Sequence, residues 1–149
     1  MTETAPAALP FSPSAALLGW KLVAHDAAKG WVRIAFDAKA EFLNPAGFVQ
    51  GGFISAMLDD SMGPALWLMT KGAFYPATIA MTVCFLEPAK PGPLFGEGQV
   101  VRYGNTIAFL EGRLTGASGQ LLARATANAR LVPAKRAAGL GRVLIDEYG

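Results

Sequence analysis

Only one cysteine and one histidine occur in this chain of 149 residues. Cys84 alone cannot close an intrachain disulfide. His25 alone leaves no set of thiolate and imidazole ligands of the kind zinc needs, so a reduced chain with no metal and no cofactor is expected. Charge is also scarce: 16% of the residues are charged, 13 basic against 11 acidic, with a formal net charge of +2. The charges are scattered, so no basic stripe for nucleic acid is present, and the balance tolerates an anionic ligand without requiring one. A long clean hydrophobic run is missing as well. The most apolar window, residues 53–69, contains Asp59, Asp60 and Pro64, each expensive or disruptive in hydrocarbon. No Lys or Arg precedes Lys21, and Pro6, Pro10 and Pro13 interrupt the start, unlike the basic, unbroken apolar beginning of a signal peptide. A cytoplasmic protein without membrane contact is the expectation.

What the chain has in quantity is apolar surface. Hydrophobic residues make up 52% of it, rich for a small monomer, and some of that surface is expected to be covered by another subunit. The length fits one domain, able to bury roughly two thirds of the surface its unfolded form exposes. Residues 1–16, rich in Ala and Pro, read as a loose leader, residues 17–132 as the domain and residues 133–149 as a tail that mixes basic residues with Gly and Ala.

Within the domain, residues 17–25 and 31–37 alternate as a hairpin around Asp26-Ala27-Ala28-Lys29-Gly30. A loop over 38–49 leads into a helix from Gly51 or Gly52 to Thr70, apolar round nearly its whole circumference and therefore expected to be surrounded by protein. Gly63-Pro64 is expected to bend it, because Pro64 offers no N–H to the Asp60 carbonyl. Strands are expected over 78–86, 95–103, 107–115 and 121–132, separated by Gly- and Pro-rich turns. Two strands, one long buried helix and four strands make an α+β fold in which an antiparallel sheet curls round a central helix.

The segment from Asn44 to Asp60 carries the chemistry. Gly51-Gly52 lets backbone N–H groups at a helix start approach a ligand, and Asp59 and Asp60 stand about two turns further in, where an ordinary core helix carries Leu or Ala. Hydrolysis of an acyl compound needs a base or nucleophile at the carbonyl carbon, donors where negative charge develops on oxygen, and an apolar slot for the acyl chain. Asp59 fits the first need and the positive helix end at Gly51 the second. Asp60, about 100° round the helix from Asp59, reads as structural or interfacial. Phe48, Trp67, Phe74 and Tyr75 suit either an acyl pocket or packing, Cys84 reads as a small buried hydrophobe, and His25 as a surface or core residue.

This element order and motif resemble the hot-dog fold and, within it, the PaaI-like acyl-CoA thioesterases. The pattern in that family is an Asn, a Gly, a His-Gly-Gly at the helix start and an Asp nine residues after the His. Asn44, Gly47, Gln50-Gly51-Gly52 and Asp59 fall at those spacings, with Gln50 where the family commonly has His; an amide still orients a carbonyl by hydrogen bonding. The resemblance implies Asp59 as general base or nucleophile, the Gly51 N–H as oxyanion donor with Gln50 beside it, Asn44 as a holder of the attacking water, and Gly52 next to the substrate. It further implies that Thr78 completes the site from the other subunit. A homodimer is then the minimum unit, with a homotetramer expected, acting on acyl-CoA; Lys90, Arg102, Arg113 and Arg124 are the cations available to the coenzyme A tail. Two rivals share the fold: a non-catalytic acyl-CoA or fatty-acid binding protein, and a dehydratase or hydratase, which would need a histidine beside its carboxylate.

Overall fold

The computed structural model describes residues 9–136. The first eight residues of the expected leader and residues 137–149 of the expected tail lie outside the described part. The described chain begins with a short helix, α1 (Pro13–Leu18), where a loose leader running into a strand from Leu17 was expected. The local sequence explains it. The Ser12 side chain caps the Ala15 N–H, Pro13 occupies the first turn, and Gly19 closes the helix at φ 68°, the left-handed conformation glycine adopts freely.

Six strands follow: β1 (Lys21–Asp26), β2 (Trp31–Ala38), β3 (Phe74–Phe85), β4 (Gly92–Tyr103), β5 (Ile107–Gly116) and β6 (Leu121–Pro133). They form one antiparallel sheet in the order β1-β2-β4-β5-β6-β3. The two edges are therefore β1 and β3. The third strand starts four residues earlier than expected because Pro76 lies inside it. A proline cannot donate to a ladder, but an edge strand has one side without a partner, and Pro76 pairs with Leu131 only on the other.

Between β2 and β3 runs α2 (Gly51–Met69), 19 residues long, or about 28 Å at 1.5 Å per residue. Ile54, Met57, Leu58, Ser61, Met62, Ala65, Leu66 and Leu68 are its buried residues, and the helix rests on β2, β3, β4, β5 and β6. Glycines bring the two layers close. A side chain on Gly96 or Gly98 of β4 would collide with Ser61, and one on Gly112 of β5 would lie 3.1 Å from Met62, so the middle of α2 sits almost directly on the sheet backbone. The expectation that protein surrounds the helix holds for one side only in the single chain. On the other side Phe53, Ala56, Asp59, Asp60, Gly63 and Trp67 are half-buried.

Among the described residues, four of the ten large exposed hydrophobic side chains lie on or next to β3: Tyr75 is 47% exposed, Ile79 58%, Phe85 56% and Leu86 46%. Cys84 belongs with them. It is exposed, not buried among hydrophobic neighbours, because it pairs with the exposed Arg124 and lies with it on the face of the sheet away from α2. His25 is exposed on β1, at the opposite edge of the sheet.

Candidate active site

The approach to α2 is built by Asn44. Its Oδ1 accepts from the N–H of Ala46 at 3.0 Å and of Phe48 at 3.1 Å, and its own N–H donates to the Phe48 carbonyl at 2.7 Å. Asn44 thereby folds the turn that delivers Gln50 to the helix start, and its side-chain oxygen is fully used in doing so. Gln50 is the N-cap residue, yet its side chain caps nothing and stands exposed. The first α2 bonds run from Phe53 and Ile54 to the Gln50 carbonyl. Among the described residues, the N–H groups of Gly51 and Gly52 have no hydrogen-bond partner. They are free donors at the positive end of a long helix, where an oxyanion is best stabilised.

Two turns along, the Thr78 hydroxyl of β3 donates to Oδ1 of Asp59 at 2.9 Å. The two residues meet within one chain, which corrects the expectation that Thr78 reaches the site from another subunit. Among the described residues the bond leaves Oδ2 of Asp59 without a hydrogen-bond partner, and it fixes the direction in which the carboxylate points.

Asp60 behaves differently. Burial, reinforced by the neighbouring Asp59 charge, raises its pKa from 3.8 to about 6, and its Oδ2 is buried without a partner. A carboxyl whose folded pKa is raised contributes stability that is fully present below about pH 4 and is lost as pH rises through about 6. Wild-type protein is therefore expected to lose melting temperature relative to Asp60→Asn as pH rises from about 4 to about 7. Parallel thermal melts across that range, giving a constant difference, would contradict this assignment.

Asp59, Asp60 and Thr78 line a depression together with Leu9, Pro10, Trp67 and Tyr75. Asn44, Phe48 and Gly51 line a second depression, at the other end of α2, with Phe85 and Leu86. The structure thus divides the expected site residues between two places. Of the expected substrate contacts, Trp67 and Tyr75 belong to the first depression and Phe48 to the second. Gly52 is exposed and lines neither, and Phe74 packs against the core. Of the four cations considered for coenzyme A, Arg113 and Arg124 are exposed and face each other across β5 and β6. Lys90 lies in the loop before β4, and Arg102 sits near the end of that strand. Trp20, Leu9 and Pro10 were not foreseen at the site.

The sequence profile of the thioesterase superfamily matches residues 46–123, a stretch that begins within the Asn44 turn and includes Gly51, Asp59 and Thr78. The chain belongs to the thioesterase superfamily. A solved structure from Ralstonia eutropha JMP134, described as a candidate thioesterase related to phenylacetic acid degradation, is 33% identical to this thioesterase-family chain. Its TM-score is 0.77, and the match covers 82% of this chain and 92% of that one. A candidate esterase of Saccharolobus solfataricus is 34% identical over 97 residues, which is 65% of this chain and 69% of that protein. A Streptococcus mutans protein solved with acetyl-CoA bound shares the fold, at 24% identity and a TM-score of 0.66 over 76% of this chain and 89% of that one. With the six-stranded sheet and long helix already described, these matches make the thioesterase a hot-dog protein of the PaaI-like kind. Among the described residues no helix is long and apolar enough to cross a membrane.

Proposed function

We propose that this thioesterase hydrolyses acyl-CoA thioesters and that Asp59, aimed by the Thr78 hydroxyl, is its general base or nucleophile. The observation that carries the reading is the 2.9 Å bond between Thr78 and Asp59 beside an apolar depression. In the reaction, water adds to the thioester carbonyl carbon with its proton passing to Asp59, or the carboxylate itself attacks first. The C–S bond then breaks and coenzyme A leaves as a thiolate that takes up a proton; on the first route the free acid remains, and on the second a mixed anhydride on Asp59 remains, which water cleaves to release the free acid and regenerate the carboxylate. Trp67 and Tyr75 shape the slot for the acyl group. The acetyl-CoA held by the S. mutans protein in the same fold supports coenzyme A as the carrier.

The oxyanion donors come, in this reading, from a second copy of the chain. Gly51 and Asp59 are eight residues apart on α2, about 12 Å of rise. A donor and a nucleophile acting directly on one carbonyl must each lie about 3 Å from it, a span that the helix of one chain exceeds. The apolar edge strand β3 offers the remedy. A second β3 paired antiparallel about the middle of the strand sets the Phe85 end of one copy beside the Phe74 end of the other. A Cβ on Gly51 would lie 3.2 Å from the Phe85 ring, so Gly51, Gln50 and Asn44 travel with Phe85 to the partner's Asp59, Thr78 and Tyr75. Each dimer then holds two complete sites, and pairing of dimers into a tetramer is compatible with them.

The test is steady release of free thiol from a panel of short, long and aromatic acyl-CoAs by the purified protein. Turnover that disappears in no-enzyme controls is the expected result. Tight binding of several acyl-CoAs without turnover would instead favour a binding protein, the role compatible with Gln50 in place of a histidine.

A further inference from the structure

Pro64 stands four residues after Asp60 inside α2. It has no N–H, so the Asp60 carbonyl lacks the donor that an unbroken helix would supply. The indole Nε1–H of Trp20, forty residues earlier in the chain, donates to that carbonyl at 3.0 Å. Trp20 is half-buried, packs against the core just before β1, and borders the same depression as Asp59 and Thr78. On its inner side this turn of α2 is fixed by the close approach of Ser61 to Gly96 and Gly98. On its outer side, where Asp59 projects, the polar ties among the described residues are Thr78 to the carboxylate and Trp20 to the backbone.

We propose that Trp20 is a positioning residue of the thioesterase site. Its indole N–H replaces the hydrogen bond that Pro64 removes and so holds the turn of α2 that presents Asp59 to the substrate. This rests on the assignment of Asp59 to thioester hydrolysis. Without the bond, a proline-weakened turn is free to shift outward, and a displacement of about 1 Å at a catalytic carboxylate lowers a rate by as much as about a hundredfold. Binding of the acyl chain is not the affected step, so kcat should fall while KM stays nearly constant.

The two residues make their own control. Trp20→Phe removes the N–H and keeps an aromatic ring; Pro64→Ala returns a backbone N–H to the Asp60 carbonyl. In the native background Trp20→Phe is expected to lower kcat by about tenfold or more with KM within about twofold. In the Pro64→Ala background the same change should alter kcat by less than about threefold, since the restored amide makes the indole bond redundant. Equal losses in both backgrounds, or no loss in the native one, would overturn the proposal and leave Trp20 as packing. Should Trp20→Phe fail to fold, benzothienylalanine at position 20 keeps the shape of the indole with sulfur in place of N–H and is read by the same comparison. If the native protein turns over no thioester, the functional reading fails by itself. Positioning is then read from the carbon resonance of the Asp59 carboxyl group, which should move with Trp20→Phe in the native background and stay fixed in the Pro64→Ala background. Movement in both, or in neither, would again overturn it.

Discussion

Asp59→Asn is expected to lower kcat by on the order of a hundredfold or more, the range for loss of a general base, with the protein still folded. The substitution is nearly isosteric. The Thr78 hydroxyl that donates to Oδ1 of Asp59 finds an amide oxygen at the same place, so neither the hydrogen bond nor the packing around it is forfeited. What disappears is the ability to accept a proton or to attack carbon. Because substrate contacts are kept, KM should change little. Asp60→Asn is the matched control: it removes the neighbouring carboxylate from the same helix turn and should slow turnover far less. Initial rates on one good acyl-CoA, with melting curves for both variants, decide the matter. A larger loss from Asp60→Asn would shift the reacting carboxylate by one position, to the group whose pKa burial raises to about 6.

The long helix was legible in the sequence because its start is marked by Gly51-Gly52 and its length by sustained apolar residues; the observed bounds, Gly51–Met69, differ from the expectation by a residue at most. The strands β5 and β6 were legible because Gly-rich turns punctuate them, whereas β4 begins at Gly92, three residues before the expected start, because Gly92 and Pro93 pair with Ala38 and Asp37 where a turn was expected. The short helix α1 carried its signals openly, Ser12-Pro13 before and Gly19 after, but six residues give too little periodicity to outweigh the Pro and Ala around them. Cys84 shows a deeper limit. Its neighbours Val83 and Phe85 look like core, yet Cys84 pairs with Arg124 and shares that residue's exposed face of the sheet, and the face each residue takes follows from pairing across strands that an unbroken apolar run does not reveal.

The site divides in the same way. The spacing along one helix was readable in the sequence and is observed, with Gly51 at the start of α2 and Asp59 two turns further in. That Thr78 approaches Asp59 in the same chain depends on how β3 returns past α2, and no local pattern records it. Pro64 announced an orphaned carbonyl at Asp60. Trp20 as its donor became visible only once forty intervening residues were folded.

A mixing experiment on two variants tests the shared site most severely. Gln50→Glu places a negative charge at the exposed helix start, repelling the developing oxyanion and competing with it for the free N–H of Gly51, and should reduce turnover by about a hundredfold. Asp59→Asn disables the other half. Neither homodimer then has a working site. After subunit exchange, a mixed dimer combines Asp59 and Thr78 of the Gln50→Glu chain with the untouched Gln50 and Gly51 of the Asp59→Asn chain, and one of its two sites is complete. With random exchange of equal amounts, about a quarter of the wild-type sites should return, because half of the dimers are mixed and each holds one good site. Were Gly51 and Asp59 of a single chain to serve one carbonyl, every site in the mixture would carry a lesion and the activity would stay at the level of the parents. Mass spectrometry of the intact mixed dimer fixes how much has formed. Absence of recovery in its presence would overturn the shared site.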